Sequence, residues 1–112
     1  MLPRNRRINK EIIENVLKTG KSKQSSYFSV KYMASGTEKS RFTFVVSSGV
    51  AKKAVDRNFL KRRCRYVIGK NLGKIKDGFI LMFFAKKGAE SLTFKEIETE
   101  ILSLLNNVGV IG

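Results

Sequence analysis

Arg57, Asn58, Lys61, Arg62 and Arg65 stand within nine residues of one another, with no carboxylate between the first and the last. A guanidinium fork grips phosphate oxygens in pairs, and an ammonium acts there as a point charge. A carboxamide both donates and accepts, which suits a 2′-hydroxyl or a base edge. On a helix turning about 100° per residue, with Arg57 at zero, Lys61 falls at about 40°, Arg65 at about 80°, Asn58 at about 100° and Arg62 at about 140°. Val67, Leu60, Cys64 and Ile68 fill a separate arc from about 280° round to about 20°. Residues 55–68 are therefore predicted to form a helix with one buried face and one cationic face. Arg63, at about 240°, lies off that face, and Phe59, at about 200°, points away from the core. Cations gathered on one face add their potentials, whereas a face built only for solubility mixes signs. Phosphates of a polyanion are the expected ligand.

Other chemistries are thinly provided for. The chain has no histidine, so no imidazole can act as general base, and its nine acidic residues are not grouped as a cage for Mg²⁺. Cys64 is the single cysteine, which removes an internal disulfide partner and thiolate-rich metal sites; its place between Leu60 and Ile68 makes it a small core residue. The net charge of +14 is unevenly spread: residues 52–76, which include Lys52 and Lys53, hold ten Lys or Arg and one acid, whereas residues 77–112 hold three and five. At 112 residues the chain has the size of one domain, read here as a single RNA-binding domain over residues 1–112. The basic N-terminus lacks an apolar stretch after it, and the longest apolar run, Phe79–Ala85, is far too short to span a bilayer. No membrane partner and a cytoplasmic location are expected.

The cationic helix needs a scaffold. A first helix is expected over Lys10–Thr19, with Asn9 as N-cap, Gly20 as its stop, and an apolar stripe of Ile13, Val16 and Leu17. The polar run of residues 21–26 reads as loop. Residues 27–34 and 41–48 read as strands with Phe28, Val30 and Tyr32 on one face of the first, and Phe42, Phe44 and Val46 on one face of the second. Gly36 between them suggests a hairpin. Phe79–Ala85 is apolar throughout and is expected to be a central strand covered on both faces. The last helix is announced by a capping box, Thr93 with Glu96, by Leu92 and Ile97 as a hydrophobic staple, and by a stripe running from Phe94 to Val108. Glu98 and Glu100 lie off that stripe and are expected to point away from bound RNA.

The run SSGVAKKAVDRNFLKRRCR, residues 47–65, resembles the protein component of bacterial ribonuclease P. That family carries Arg-Asn-Arg followed by basic residues on one helix, after Ser-x-Lys-x-x-x-Lys-Ala-Val. Arg57 and Asn58 match the first two motif residues, and Lys61, Arg62 and Arg65 match those that follow. RNRRINKEIIENVLKTGKS, residues 4–22, and SLTFKEIETEILSLLNN, residues 91–107, resemble the family's first and last helical segments. Phe59 replaces the second arginine of the motif, Gly49 and Val50 stand where lysines are frequent, and Ile13 and Leu17 stand where relatives place phenylalanines.

The resemblance implies an α+β fold, a small two-layer domain in which a central sheet packs against helices, with a left-handed βαβ crossover at the basic helix. It implies a non-catalytic subunit of an RNA enzyme that removes 5′ leaders from precursor tRNA, the RNA and its Mg²⁺ performing the phosphodiester hydrolysis. No catalytic residue, metal ligand or tightly bound cofactor is assigned to the protein. Lys52, Lys53, Arg57, Asn58, Lys61, Arg62 and Arg65 would bind the catalytic RNA, with further contacts from Arg4, Asn5 and Arg6. Ile13 and Leu17 would border the cleft for the single-stranded leader of precursor tRNA, leaving base stacking to Phe28 or Tyr32. A general RNA-binding or ribosomal protein would share the charge and the basic helix without the cleft. A groove lined jointly by Ile13, Leu17, Phe28 and Tyr32 would discriminate between the two.

Overall fold

The computed structural model describes residues 10–34, 36 and 39–111. Helix α1 (Lys10–Thr19) leads into strand β1 (Lys21–Gln24), followed by β2 (Phe28–Ala34) and β3 (Arg41–Val45). Helix α2 (Ala54–Lys70), a 3₁₀ turn (Leu72–Lys74), strand β4 (Phe79–Ala85), a second 3₁₀ turn (Ala89–Ser91) and helix α3 (Phe94–Val108) complete the chain. Asn9, the expected N-cap of α1, lies outside the described residues.

The four strands form one mixed sheet in the order β1-β2-β4-β3. The expected hairpin between β2 and β3 is not formed. β4 lies between them, antiparallel to β2 (Phe28 opposite Ala85, Ala34 opposite Phe79) and parallel to β3 (Arg41 opposite Ile80, Val45 opposite Phe84). A strand apolar on both faces gains most from the interior of a sheet, and this one displaces the local pairing. β3, α2 and β4 thereby make the βαβ crossover. The polar stretch expected as loop supplies β1, exposed at all four residues and held by pairing with β2.

β4 divides the apolar residues between two faces. Leu81 and Phe83 join Phe28, Val30, Phe42 and Phe44, and against them pack Leu60, Cys64, Val67 and Ile68 of α2 and Ile97, Ile101, Leu104 and Leu105 of α3. The rings of Phe44 and Phe83 stack at 5.2 Å between centroids. Ile80 and Met82 face the other way and pack with Val16 of α1, flanked by Ile12, Ile13, Met33 and Phe84. The helices α2 and α3 thus cover one face, and α1 adds a partial layer on the other.

Local chemistry fixes the helix ends. Thr93 Oγ1 accepts from the Glu96 N–H at 3.2 Å, and Glu96 Oε1 accepts from the Thr93 N–H at 2.9 Å, so the capping box forms. Those bonds hold the Glu96 carboxyl below the usual carboxylate range. A depressed acid stabilises the fold above its unfolded pKa, and this contribution disappears as pH falls through the folded value. Gly20 ends α1 by close approach rather than by a left-handed turn, because a Cβ there would stand 2.5 Å from the Val16 carbonyl oxygen. Gly78, at φ +94°, is doubly constrained, since a Cβ would strike the Gly36 carbonyl.

Glu98 and Glu100 of α3, expected to point away from bound RNA, are engaged within the fold. Glu98 bridges to Lys70 of α2 at 3.2 Å. Glu100 Oε1 accepts from Ser25 Oγ and from the Tyr27 N–H, both at 2.7 Å, and clasps the β1–β2 connection onto α3. Charge reversal at Glu100 therefore disturbs the fold before it reports on docking. Glu100→Ala is expected to lower stability by about 1–2 kcal/mol, the cost of losing hydrogen bonds to a partly exposed carboxylate, read as a fall in the urea midpoint at constant slope.

Candidate nucleic-acid interface

The buried residues of α2 are Leu60, Cys64, Val67 and Ile68, the arc read from the helical wheel. Burial pushes the Cys64 thiol up to about 12, so it remains a protonated core residue rather than a nucleophile. With that face fixed against the sheet, Asn58, Arg62 and Arg65 are exposed and Lys61 is half-buried along its stem. None of these four side chains bonds to another described residue by a hydrogen bond or ion pair. They form a cationic face whose donors meet no partner among the described residues. Lys52 and Lys53 are exposed in the turn that enters α2.

Arg57 behaves differently. Its Nη1 donates to the carbonyls of Ala51 at 2.9 Å and Lys52 at 2.7 Å. It ties the entry turn to the first turn of α2, and only its remaining donors can meet a phosphate. Arg63, read as off the cationic arc, places its guanidinium 4.3 Å from the centre of the Phe59 ring and reaches the Leu92 carbonyl at 3.5 Å. Phe59 is half-exposed and thus serves as a platform for Arg63. Arg4, Asn5 and Arg6 lie outside the described residues.

The four residues expected to line one groove lie on two faces. Phe28 is fully buried and Tyr32 half-buried on the side covered by α2 and α3. Ile13 packs on the opposite side, and Leu17 is 46% exposed on α1. The alternation of β2 explains this: its aromatic residues face the main core, and Ser29, Lys31 and Met33 turn toward α1. Strand register then places Gln24, Ser29, Phe84 and Val45 in one row across the sheet on the α1 side. Ser29 and Phe84 are half-buried and Val45 is exposed, so the row forms a partly open shelf beside the α1 cluster, against which Phe84 packs. Lys31 stands in the adjacent row, opposite Met82. Nothing in the sequence marks Phe84, because a continuous apolar strand gives no sign of which end stays less covered.

Among the described residues no group of three or more His, Cys, Asp and Glu could hold a metal ion, and no helix is long and apolar enough to cross a membrane.

Comparison with known proteins places this architecture. The family model "Ribonuclease P" matches residues 2–109. The ribonuclease P protein component of Fusobacterium nucleatum is 31% identical over 102 residues, covering 88% of this chain and 91% of the relative. That of Thermotoga maritima is 33% identical over 97 residues, covering 83% and 82%. The solved ribonuclease P protein of Thermotoga maritima superposes with a TM-score of 0.83 at 30% identity, covering 90% of this chain and 96% of that one. The Staphylococcus aureus protein shares the fold at a TM-score of 0.85 and 22% identity, covering 96% and 98%. With helices packed on a mixed sheet, a cationic helix crossing between its parallel strands and a family match over nearly its whole length, the chain belongs to the ribonuclease P protein family.

Proposed function

We propose that the chain is the protein subunit of a ribonuclease P holoenzyme, binding the catalytic RNA through α2 and the 5′ leader of precursor tRNA on the α1 side of the sheet. The observation that carries this reading is the set of donors of Asn58, Lys61, Arg62 and Arg65 on one helix face, which meet no partner among the described residues. Lys52, Lys53 and the outer donors of Arg57 extend that face, and Arg4, Asn5 and Arg6, which lie outside the described residues, are proposed as further RNA contacts. The leader shelf combines Phe84, an aromatic surface for a base, with Lys31, a cation for its phosphate, and is bordered by Leu17 and Ile13. Phe28 stays in the core, and Tyr32, half-buried, packs against it.

In this role the protein performs no bond chemistry. Mg²⁺ serves the RNA, which cleaves the phosphodiester endonucleolytically to leave the mature tRNA 5′ end. The protein screens repulsion between the two RNAs and adds contacts to the leader, so precursor is held more tightly than mature tRNA. The cytoplasm, where precursor tRNA is processed, is its proposed location.

Leader cleavage by the cognate catalytic RNA, measured with and without the protein across a Mg²⁺ series, tests this. Stimulation is expected to be largest at low Mg²⁺ and to narrow as the cation takes over the screening. Cleavage by the protein freed of RNA, or no stimulation at any Mg²⁺ concentration, would overturn it.

A further inference from the structure

α2 carries a second exposed stripe beside the cationic face. Val55, Phe59 and Tyr66 are 68%, 50% and 57% exposed, large values for apolar and aromatic side chains. Hydrophobic burial alone would leave such groups covered, and a stripe of this kind marks a contact surface. At its C-terminal end the Tyr66 ring meets Phe94 of α3 edge-on, with centroids 5.5 Å apart and planes at 68°. Arg62 and Arg63 join these two rings in lining a shallow, nearly wholly apolar depression. Arg63 is held in place by Phe59 and the Leu92 carbonyl, whereas Arg62 has no protein partner among the described residues.

We infer that this depression is a stacking site for an unpaired base of the catalytic RNA, with Arg62 gripping the phosphate of the same nucleotide. The inference rests on the proposed docking of α2 on that RNA. Charge complementarity selects the occupant. Arg62 and Arg63 line the depression through their apolar stems and no carboxylate lines it, while Arg62 is exposed and its guanidinium bonds to no described residue. The nearby glutamates are engaged elsewhere: Glu98 with Lys70, Glu96 in the capping box and Glu100 with Ser25 and Tyr27. An apolar protein partner would cover the exposed Arg62 guanidinium without pairing it, whereas a nucleotide supplies both a π-face and an anion. Phe94 restrains the Tyr66 ring in advance, which lowers the entropy lost when a base settles on it. The site therefore contributes affinity that salt does not screen, next to a face whose affinity salt does screen.

The chain has no tryptophan, so Tyr66→Trp introduces a single indole at the site. Saturating the Tyr66→Trp protein with catalytic RNA is expected to quench its emission, as stacked bases do. Tyr66→Ala is expected to weaken RNA binding about 5- to 100-fold with the salt slope unchanged, while Tyr66→Phe stays near the parent. Unquenched emission at saturation, or Tyr66→Ala binding within twofold of the parent, would overturn the stacking site. If Arg62→Ala still weakens binding in that case, the docking of α2 survives and only the stacking site is lost. Loss of any salt-dependent binding by the parent protein would overturn both. A change in the sedimentation of free Tyr66→Ala at unchanged RNA affinity would overturn the inference in favour of self-association.

Discussion

Alanine at Lys61, Arg62 and Arg65 together is expected to weaken binding of the catalytic RNA about a thousandfold at moderate salt, taking about 1.5 kcal/mol for each charge-assisted contact. The log–log salt dependence should fall by roughly 2 to 3, about one phosphate's worth for each residue. The three side chains share the exposed face of α2 and bond to no other described residue, so little of the loss should come from damage to the fold. Circular dichroism and urea midpoints near those of the parent should accompany the binding loss.

Single variants separate position from charge. Arg62→Ala is expected to exceed Arg63→Ala, because the Arg63 guanidinium is already held against Phe59. Asn58→Ala should cost affinity with the slope unchanged, as expected for hydrogen bonds to sugar or base. Arg57→Ala should do both kinds of damage, since it removes a charge and frees the entry turn held through Ala51 and Lys52. Equal losses at Arg62 and Arg63, with none at Asn58, would describe diffuse attraction to any polyanion and would sink the docking face.

The sequence was most legible where neighbours along the chain decide the structure. α1 has the bounds that its stripe and terminal glycine indicate, and α3 starts at the capping box of Thr93 and Glu96. The buried arc of α2 follows from helical period alone. Long-range choices were not legible. Nothing in residues 21–24 requires a strand, because β1 exists through backbone pairing with β2 rather than through burial of its own side chains. Insertion of β4 between β2 and β3 depends on a strand that follows the suggested hairpin by more than thirty residues. The face chosen by α1 is hidden for a related reason: the most aromatic face of β2 points a leader site toward Phe28, but aromatic density there marks the deeper core. The inward bonds of Arg57 and the Tyr66–Phe94 contact likewise need the tertiary fold to appear.

The two faces of the sheet make different predictions for substrate choice. Phe84→Leu removes the ring face but keeps most of the apolar volume beside Ile80 and Met82, so the protein should remain folded. In a reconstituted holoenzyme the preference for precursor over mature tRNA is expected to fall about 5- to 150-fold, corresponding to one stacked base at about 1–3 kcal/mol. Binding of mature tRNA, which lacks the leader, should be unchanged. Phe28→Leu is the matched variant on the other face. Phe28 is fully buried against α2 and α3, so its truncation should lower stability and leave the precursor preference intact. Lys31→Ala should add a loss of salt dependence in precursor binding that Phe84→Leu does not show, because it removes a phosphate partner rather than a stacking surface. A fall in precursor preference for Phe28→Leu, with none for Phe84→Leu, would return the leader to the α2 side. Equal effects of Phe84→Leu on precursor and mature tRNA would show that the shelf touches the tRNA body, because only contacts to the leader can distinguish substrate from product.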